Sequence, residues 1–222
     1  MVLALLMSTR AEADEARAEW WSYVTAQGDA FGWLKYELET RTRLRFAPDL
    51  AFVELALNPA LGVSVREDMS LWLSYSRVQS FGDSTPNENR FRQDFLFDRV
   101  TEHVRTVLRA RVEERFFSGS WAPAVRLRGL VRSGIPTPFE PLRIQVQEEI
   151  FFTVVGSPGL EAGFDQSRTQ LVFHLRLPQW VTFGLGYMIQ YTSKGTLSHN
   201  LVSQITLHLP DSKPGDRALP QD

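Results

Sequence analysis

Residues 34–46 read LKYELETRTRLRF and alternate without a break. Leu34, Tyr36, Leu38, Leu44 and Phe46 share one parity with Thr40 and Thr42, while Lys35, Glu37, Glu39, Arg41, Arg43 and Arg45 share the other. A period of two over this length gives a β-strand one charged and one apolar face, whereas a helix would scatter both sets around its axis. The same rule recurs along the chain. Residues 90–99 set Phe91, Phe95 and Phe97 against Arg90, Arg92, Asp94 and Asp98. Residues 104–116 set Leu108, Ala110 and Val112 against Arg105, Arg109, Arg111, Glu113 and Arg115. Residues 121–132 carry Arg126, Arg128 and Arg132. Residues 142–154 carry Arg143, Gln145, Gln147 and Glu149, and residues 168–177 carry Arg168, Gln170, His174 and Arg176. Segments 52–66, 71–78, 181–191 and 200–209 complete the series, with Pro59 predicting a bulge or interruption in the first of them. A polar loop at 81–88, a proline-rich loop at 134–141, a loop at 156–165 and tight turns at 67–68 and 178–179 separate the segments. Residues 20–26 form a further short aromatic segment. No linker divides the chain, so one domain over 14–209 is expected.

A two-faced strand suits either a soluble sheet with an oily core or a membrane barrel with an oily outside. Arginine dominates the cations, and lysine occurs only at Lys35, Lys194 and Lys213. Arginine suits crowded, bidentate ion-pair networks, which points to a confined, hydrated interior. Gly62, Gly184 and Gly186 fall on the polar parity, where tight curvature calls for small residues. Trp20, Trp21, Trp33, Trp121, Trp180 and Tyr191 lie at segment ends, where an aromatic girdle would sit. The expected fold is therefore all-β: an antiparallel up-and-down transmembrane β-barrel of 10 to 12 strands. Its even strand count is the bacterial rule, and residues 20–26 are either outside the ladder or part of a twelve-stranded one. A soluble barrel is the alternative. Residues 1–13 (apolar MVLALLM, then Ala11-Glu12-Ala13) read as a truncated signal peptide, and 210–222 as a polar tail. The expected location is the bacterial outer membrane, with membrane lipid as the surrounding partner.

Several short motifs occur in order. Glu88-Asn89-Arg90 with Gln93 is similar to an ENRxxQ element. Residues 109–116 are similar to an RxRxExRF strand, residues 164–168 to FDQNR with Ser167 in place of Asn, and residues 186–191 to a GYxxQY strand. Together, over about 20–209, they resemble the bacterial family catalogued as domain of unknown function 2490. The chain departs from that pattern at His199-Asn200, where Asn-His is expected, and at Leu209-Pro210, where a terminal aromatic is expected. The resemblance implies an outer-membrane β-barrel and brings no established activity.

The main chemical constellation is an ionic network on the expected lumen. It comprises Lys35, Glu37, Glu39, Arg41, Arg43, Arg45, Arg90, Arg92, Asp94, Arg105, Arg109, Arg111, Glu113, Arg115, Arg126, Arg128, Arg143, Glu149, Arg168 and Arg176, with Glu54, Arg66, Asp98 and Arg132 on the same parity. Cations outnumber anions there by about two to one. A packed salt-bridge network in an envelope barrel of structural role is the leading reading. A narrow channel or binding barrel for small anions is the alternative, kept open by the positive excess. An outer-membrane lipid hydrolase would need a Ser–His pair, and among His103, His174, His199 and His208 only Ser198-His199 offers one; neighbours on a strand point to opposite faces, which is poor geometry for a dyad. With a net charge of −2 and no cysteine, the chain has neither the basic balance of a nucleic-acid binder nor any thiolate site. No metal or cofactor motif is present, and no cofactor is expected.

Overall fold

The computed structural model describes residues 17–46, 50–81, 86–120, 122–157, 160–177 and 180–209. None of them is helical. Eleven strands follow one another: β1 (Arg17–Asp29), β2 (Leu34–Arg45), β3 (Ala51–Arg66), β4 (Met69–Ser80), β5 (Glu88–Val100), β6 (Arg105–Phe117), β7 (Ala124–Pro136), β8 (Leu142–Val155), β9 (Gly163–Arg176), β10 (Val181–Thr192) and β11 (Leu197–His208). Each pairs antiparallel with its neighbour in sequence, and β1 pairs with β11 to close the ring. The fold is a closed, all-β barrel.

The strand count corrects the expectation of an even number. Residues 20–26 are neither outside the ladder nor one of twelve strands; they are the middle of β1. With an odd number of staves the first and last strands run in the same direction, so the ring closes through one parallel pair. Its register runs from Arg17 opposite Ser198 to Gln27 opposite His208. The start of β1 and the β2–β3, β4–β5, β6–β7, β8–β9 and β10–β11 connections lie at one mouth, termed upper. The other five connections and the end of β11 lie at the lower mouth.

Other local expectations shift too. Residues 134–136 extend β7, so the proline-rich loop shrinks to 137–141. Glu88 opens β5 instead of ending a loop. Pro59 leaves β3 unbroken: its outward, exposed position has no amide hydrogen to offer, and the β3–β4 ladder passes over it without a change of register. One irregularity falls in the pairing of β3 with β2, beside Arg43 and Leu44. The other falls between Ser64 and Arg66. It carries Arg66 out to the rim, beside Asp68 at 3.5 Å and largely exposed, so Arg66 is not an interior residue. The expected leader at 1–13, the tail at 210–222, Trp121 and the turn at 178–179 lie outside the described residues.

Burial follows strand parity. On every strand the outward positions carry exposed apolar side chains, among them Val24, Leu38, Leu57, Leu73, Phe95, Leu108, Val131, Ile150, Leu171, Leu185 and Leu201, one from each strand in order. The buried positions are mostly polar or charged. A small apolar cluster, Trp21, Met188 and Val202 with Tyr23 beside it, packs inside, and Phe151, Val172, Leu130 and a few smaller apolar residues are buried separately. The barrel is thus inverted relative to a water-soluble sheet, with charge inside and hydrocarbon outside.

Candidate functional site

The interior toward the upper mouth is filled by interlocked ion pairs. Glu113 on β6 is fully buried and receives Arg126 of β7 through Nε at 3.1 Å and Nη2 at 2.8 Å. Arg128 and Arg90 stand 3.5 and 3.6 Å from the same carboxylate. Arg126 also donates to Asp165 at 2.9 Å. Glu149 on β8 accepts from Arg128 at 2.8 Å and from Arg109 at 2.7 Å. Glu88 joins Arg90 at 2.7 Å and Arg115 at 3.1 Å. Arg111 grips Asp94 with both its Nε and its Nη2, the latter at 2.8 Å. Glu54 pairs with Arg41 and, at 3.2 Å, with Arg43, which also reaches Glu19 at 2.8 Å. Most of these partners sit on adjacent strands, where register places inward side chains within reach. Arg109 to Glu149 and Arg126 to Asp165 reach across an intervening strand, and Glu88 and Arg90 are two residues apart on β5. Removing one member of such a pair would strand a charge away from water, at a cost of about 3–5 kcal/mol.

Aromatic rings take part in this packing. The Trp21 ring lies 4.3 Å from the Arg43 guanidinium carbon, 4.7 Å from that of Arg168 and 5.5 Å from that of Arg41. Phe151 stands 4.5 Å from Arg128, 4.6 Å from Arg168 and 5.0 Å from Arg126. A desolvated cation over a ring face is stabilised by about 2 kcal/mol. Trp21 is therefore not part of a girdle. It adjoins Trp20, so the two indoles point to opposite faces: Trp20 outward, donating to Ser203 at 2.9 Å, and Trp21 inward, donating to Glu19 at 2.9 Å. Glu19, Trp21, Glu88 and Phe151 escaped the sequence reading, yet each shares the parity of inward neighbours on its own strand.

Below this packed zone the interior opens. A cavity of about 270 Å³ is bounded by residues of ten strands, including Tyr23, Glu37, Glu39, Asn58, Arg92 and Arg168. Asn58 donates to Glu39 at 2.8 Å and accepts from Arg92 at 2.6 Å. Among the described residues, Arg168 donates a side-chain hydrogen bond only to neutral Gln190, at 3.2 Å. A second cavity of about 280 Å³ adjoins it across Gln27, Glu37, Trp72, Leu96, Val107 and Arg132 and reaches the lower mouth at Glu67 and Asp68. Lys35, Arg105, Arg143 and Arg176 line this lower vestibule. There Arg105 forks onto Asp98 at 2.9 and 2.6 Å. Arg45, near the upper end of β2, keeps a buried Nε with no hydrogen-bond partner.

The glycines on the inward face make room for neighbours. A Cβ on Gly62 would stand 2.4 Å from the Trp72 indole, and one on Gly186 would stand 2.2 Å from the carbonyl oxygen of Leu171. Ser198 and His199 do not form a dyad. The Asn200 amide donates to the Ser198 hydroxyl at 3.4 Å, whereas exposed His199 meets the Tyr187 hydroxyl on the outer face. Among the described residues no group of His, Asp and Glu is arranged to hold a metal ion.

A family model described as "Protein of unknown function (DUF2490)" matches residues 18–200. The chain belongs to this family. The match runs from the second residue of β1 into β11, so it takes in both partners of the parallel closure. It also spans the four motifs at 88–93, 109–116, 164–168 and 186–191. In the structure all four contribute to the interior: Glu88 and Arg90, Arg109 to Arg115, and Gln166 with Gln190, whose amides bond at 3.0 Å. Comparison with curated proteins and with solved structures gave no match.

Proposed function

We propose that the protein is an outer-membrane β-barrel of structural or envelope role, with an arginine- and glutamate-rich lumen closed toward one mouth by its own side chains. The exposed apolar surface carries this reading. Every strand turns large hydrophobic side chains outward, whereas a water-soluble monomer seldom exposes a contiguous apolar patch beyond a few hundred Å². Hydrocarbon is the solvent that suits such a surface, and a closed barrel leaves no backbone edge unpaired in it. Exposed aromatics gather near both mouths: Phe31, Trp33, Phe139 and Trp180 near the lower, Phe52, Phe81, Phe164 and Tyr191 near the upper. That placement fits two interfacial girdles.

Cell fractionation and gel migration test it. The protein should sediment with the outer membrane and run faster before boiling than after. Recovery in the soluble periplasm, with no shift on boiling, would overturn the proposal. A second reading, a narrow anion-selective channel, draws on the arginines around the two cavities. Planar-bilayer recording separates the two: the packed Trp21–Phe151 zone predicts no steady conductance, and anion-selective steps from the unaltered protein would favour the channel.

A further inference from the structure

The arginines of the barrel fall into two classes. Toward the upper mouth most grip a carboxylate. In the lower vestibule, Arg132, Arg143 and Arg176 form no ion pair with a carboxylate among the described residues. Arg132 donates through Nε to the neutral amide oxygen of Gln147 at 2.9 Å. The three sit on consecutive staves β7, β8 and β9 and line one cavity. His174 stands opposite Arg143 in the ladder, and its buried Nε2 has no hydrogen-bond partner. Three like charges beside an incompletely satisfied imidazole are costly unless something negative sits among them.

We propose that this vestibule binds a compact phosphate-type oxyanion, held by Arg132, Arg143 and Arg176. Guanidinium forks match the paired oxygens of a phosphoryl group, and a cavity of about 280 Å³ has room for one. The carboxylates of the cavity limit the size of the ligand. Asp29, Glu37, Glu67 and Asp68 line it beside Asp98, which Arg105 holds, so an extended polyanion would meet repulsion that a single phosphoryl group at the three arginines avoids. The site depends on the interior geometry alone and not on which membrane holds the barrel.

Calorimetric titration of the full-length protein, folded in micelles of an uncharged detergent, with inorganic phosphate at low ionic strength tests this. One saturable site is expected, with affinity falling at least tenfold in Arg143→Gln/Arg176→Gln and unchanged in Arg66→Gln, at the exposed rim of the same mouth. Titration with glycerol phosphate separates the sources of the ligand: binding comparable to phosphate shows that a phosphoryl group on a larger molecule is accepted, and exclusion assigns the site to the free ion. Should the double variant fail to fold, the thermal midpoint of the unaltered protein decides, since phosphate should raise it more than chloride at equal ionic strength. Absence of saturable phosphate binding by the unaltered protein, full retention in a folded double variant, or equal effects of phosphate and chloride would overturn the proposal. None of these outcomes bears on where the protein fractionates in cells.

Discussion

Trp21 and Phe151 share one cation: the Arg168 guanidinium carbon lies 4.7 Å from the indole and 4.6 Å from the phenyl ring. Both rings are shielded from solvent, in a barrel whose interior is otherwise mostly polar. Truncating Phe151 to alanine would open a void beside three guanidinium groups. A loss of about 3–5 kcal/mol is expected. It should appear as a lower midpoint of denaturant-induced unfolding in micelles, followed by tryptophan fluorescence.

Those two rings also close the upper half of the barrel. The double variant Trp21→Ala/Phe151→Ala should therefore gain a conductance that the unaltered protein lacks. Because unpaired arginines line the cavities below, reversal potentials in a KCl gradient should show chloride preference. A folded double variant that stays silent in bilayers would show that the ion pairs alone seal the interior.

Glu113 has no solvent to fall back on and three arginines within 3.6 Å. Glu113→Gln should destabilise the barrel by about 3–5 kcal/mol, since it leaves positive charge uncompensated. Arg126→Gln made in that background should cost less than it does alone, because the partner it served has gone. A double-mutant cycle on unfolding free energies should give a coupling of about 0.5–3 kcal/mol.

The glycines offer a matched comparison. Gly186→Ala would press its Cβ against the backbone of β9, and Gly62→Ala against a ring, whereas a Cβ at Gly129 meets nothing within 4 Å. Gly186→Ala should lower stability by more than about 3 kcal/mol and Gly62→Ala by about 1–3 kcal/mol. Gly129→Ala should be neutral or mildly stabilising. Replacing Trp72 by leucine should recover much of the Gly62→Ala loss and none of the Gly186→Ala loss. Thermal midpoints of the folded gel band report all four.

The parallel seam can be checked covalently. The chain has no cysteine, so an introduced pair reports without background. Val24 and Ile205 are register partners across the closure. Val24→Cys/Ile205→Cys should form a disulfide under mild oxidation and retain a compact gel band after boiling unless reductant is present. Offsetting one partner, as in Val24→Cys/Leu201→Cys, should abolish the crosslink.

Strand parity made most of this architecture readable. The run from Lys35 to Arg45 already separates inward charge from outward hydrocarbon, and Arg109 to Arg115 repeats it. What parity does not carry is the partner of each charge. Glu113 meets Arg126 because two strands are in register, and register is a property of the pair. Trp21 and Phe151 were missed for a different reason: an aromatic residue on a charged face looks like an exception until the stacked guanidinium groups beside it are seen. Arg66 went astray because a register irregularity at Ser64 reverses the rule for the residues that follow. Eleven strands fall within the expected 10 to 12, but the expected evenness failed because it is a regularity of other barrels, and nothing in the local pattern of residues 20–26 states which neighbour they will find.

The hydrogen bond from Trp20 to Ser203 spans 183 positions of sequence. All other strand pairings join chain neighbours and form as local hairpins, paying little loop-closure entropy. The seam alone must bring together residues almost a full barrel apart, so its formation carries the highest contact order in the molecule and is expected to come last in folding. Substitutions along β1 and β11 should therefore act mainly on the rate of the final closing step. Those within the β5–β8 hairpins should act on the intermediate that precedes it.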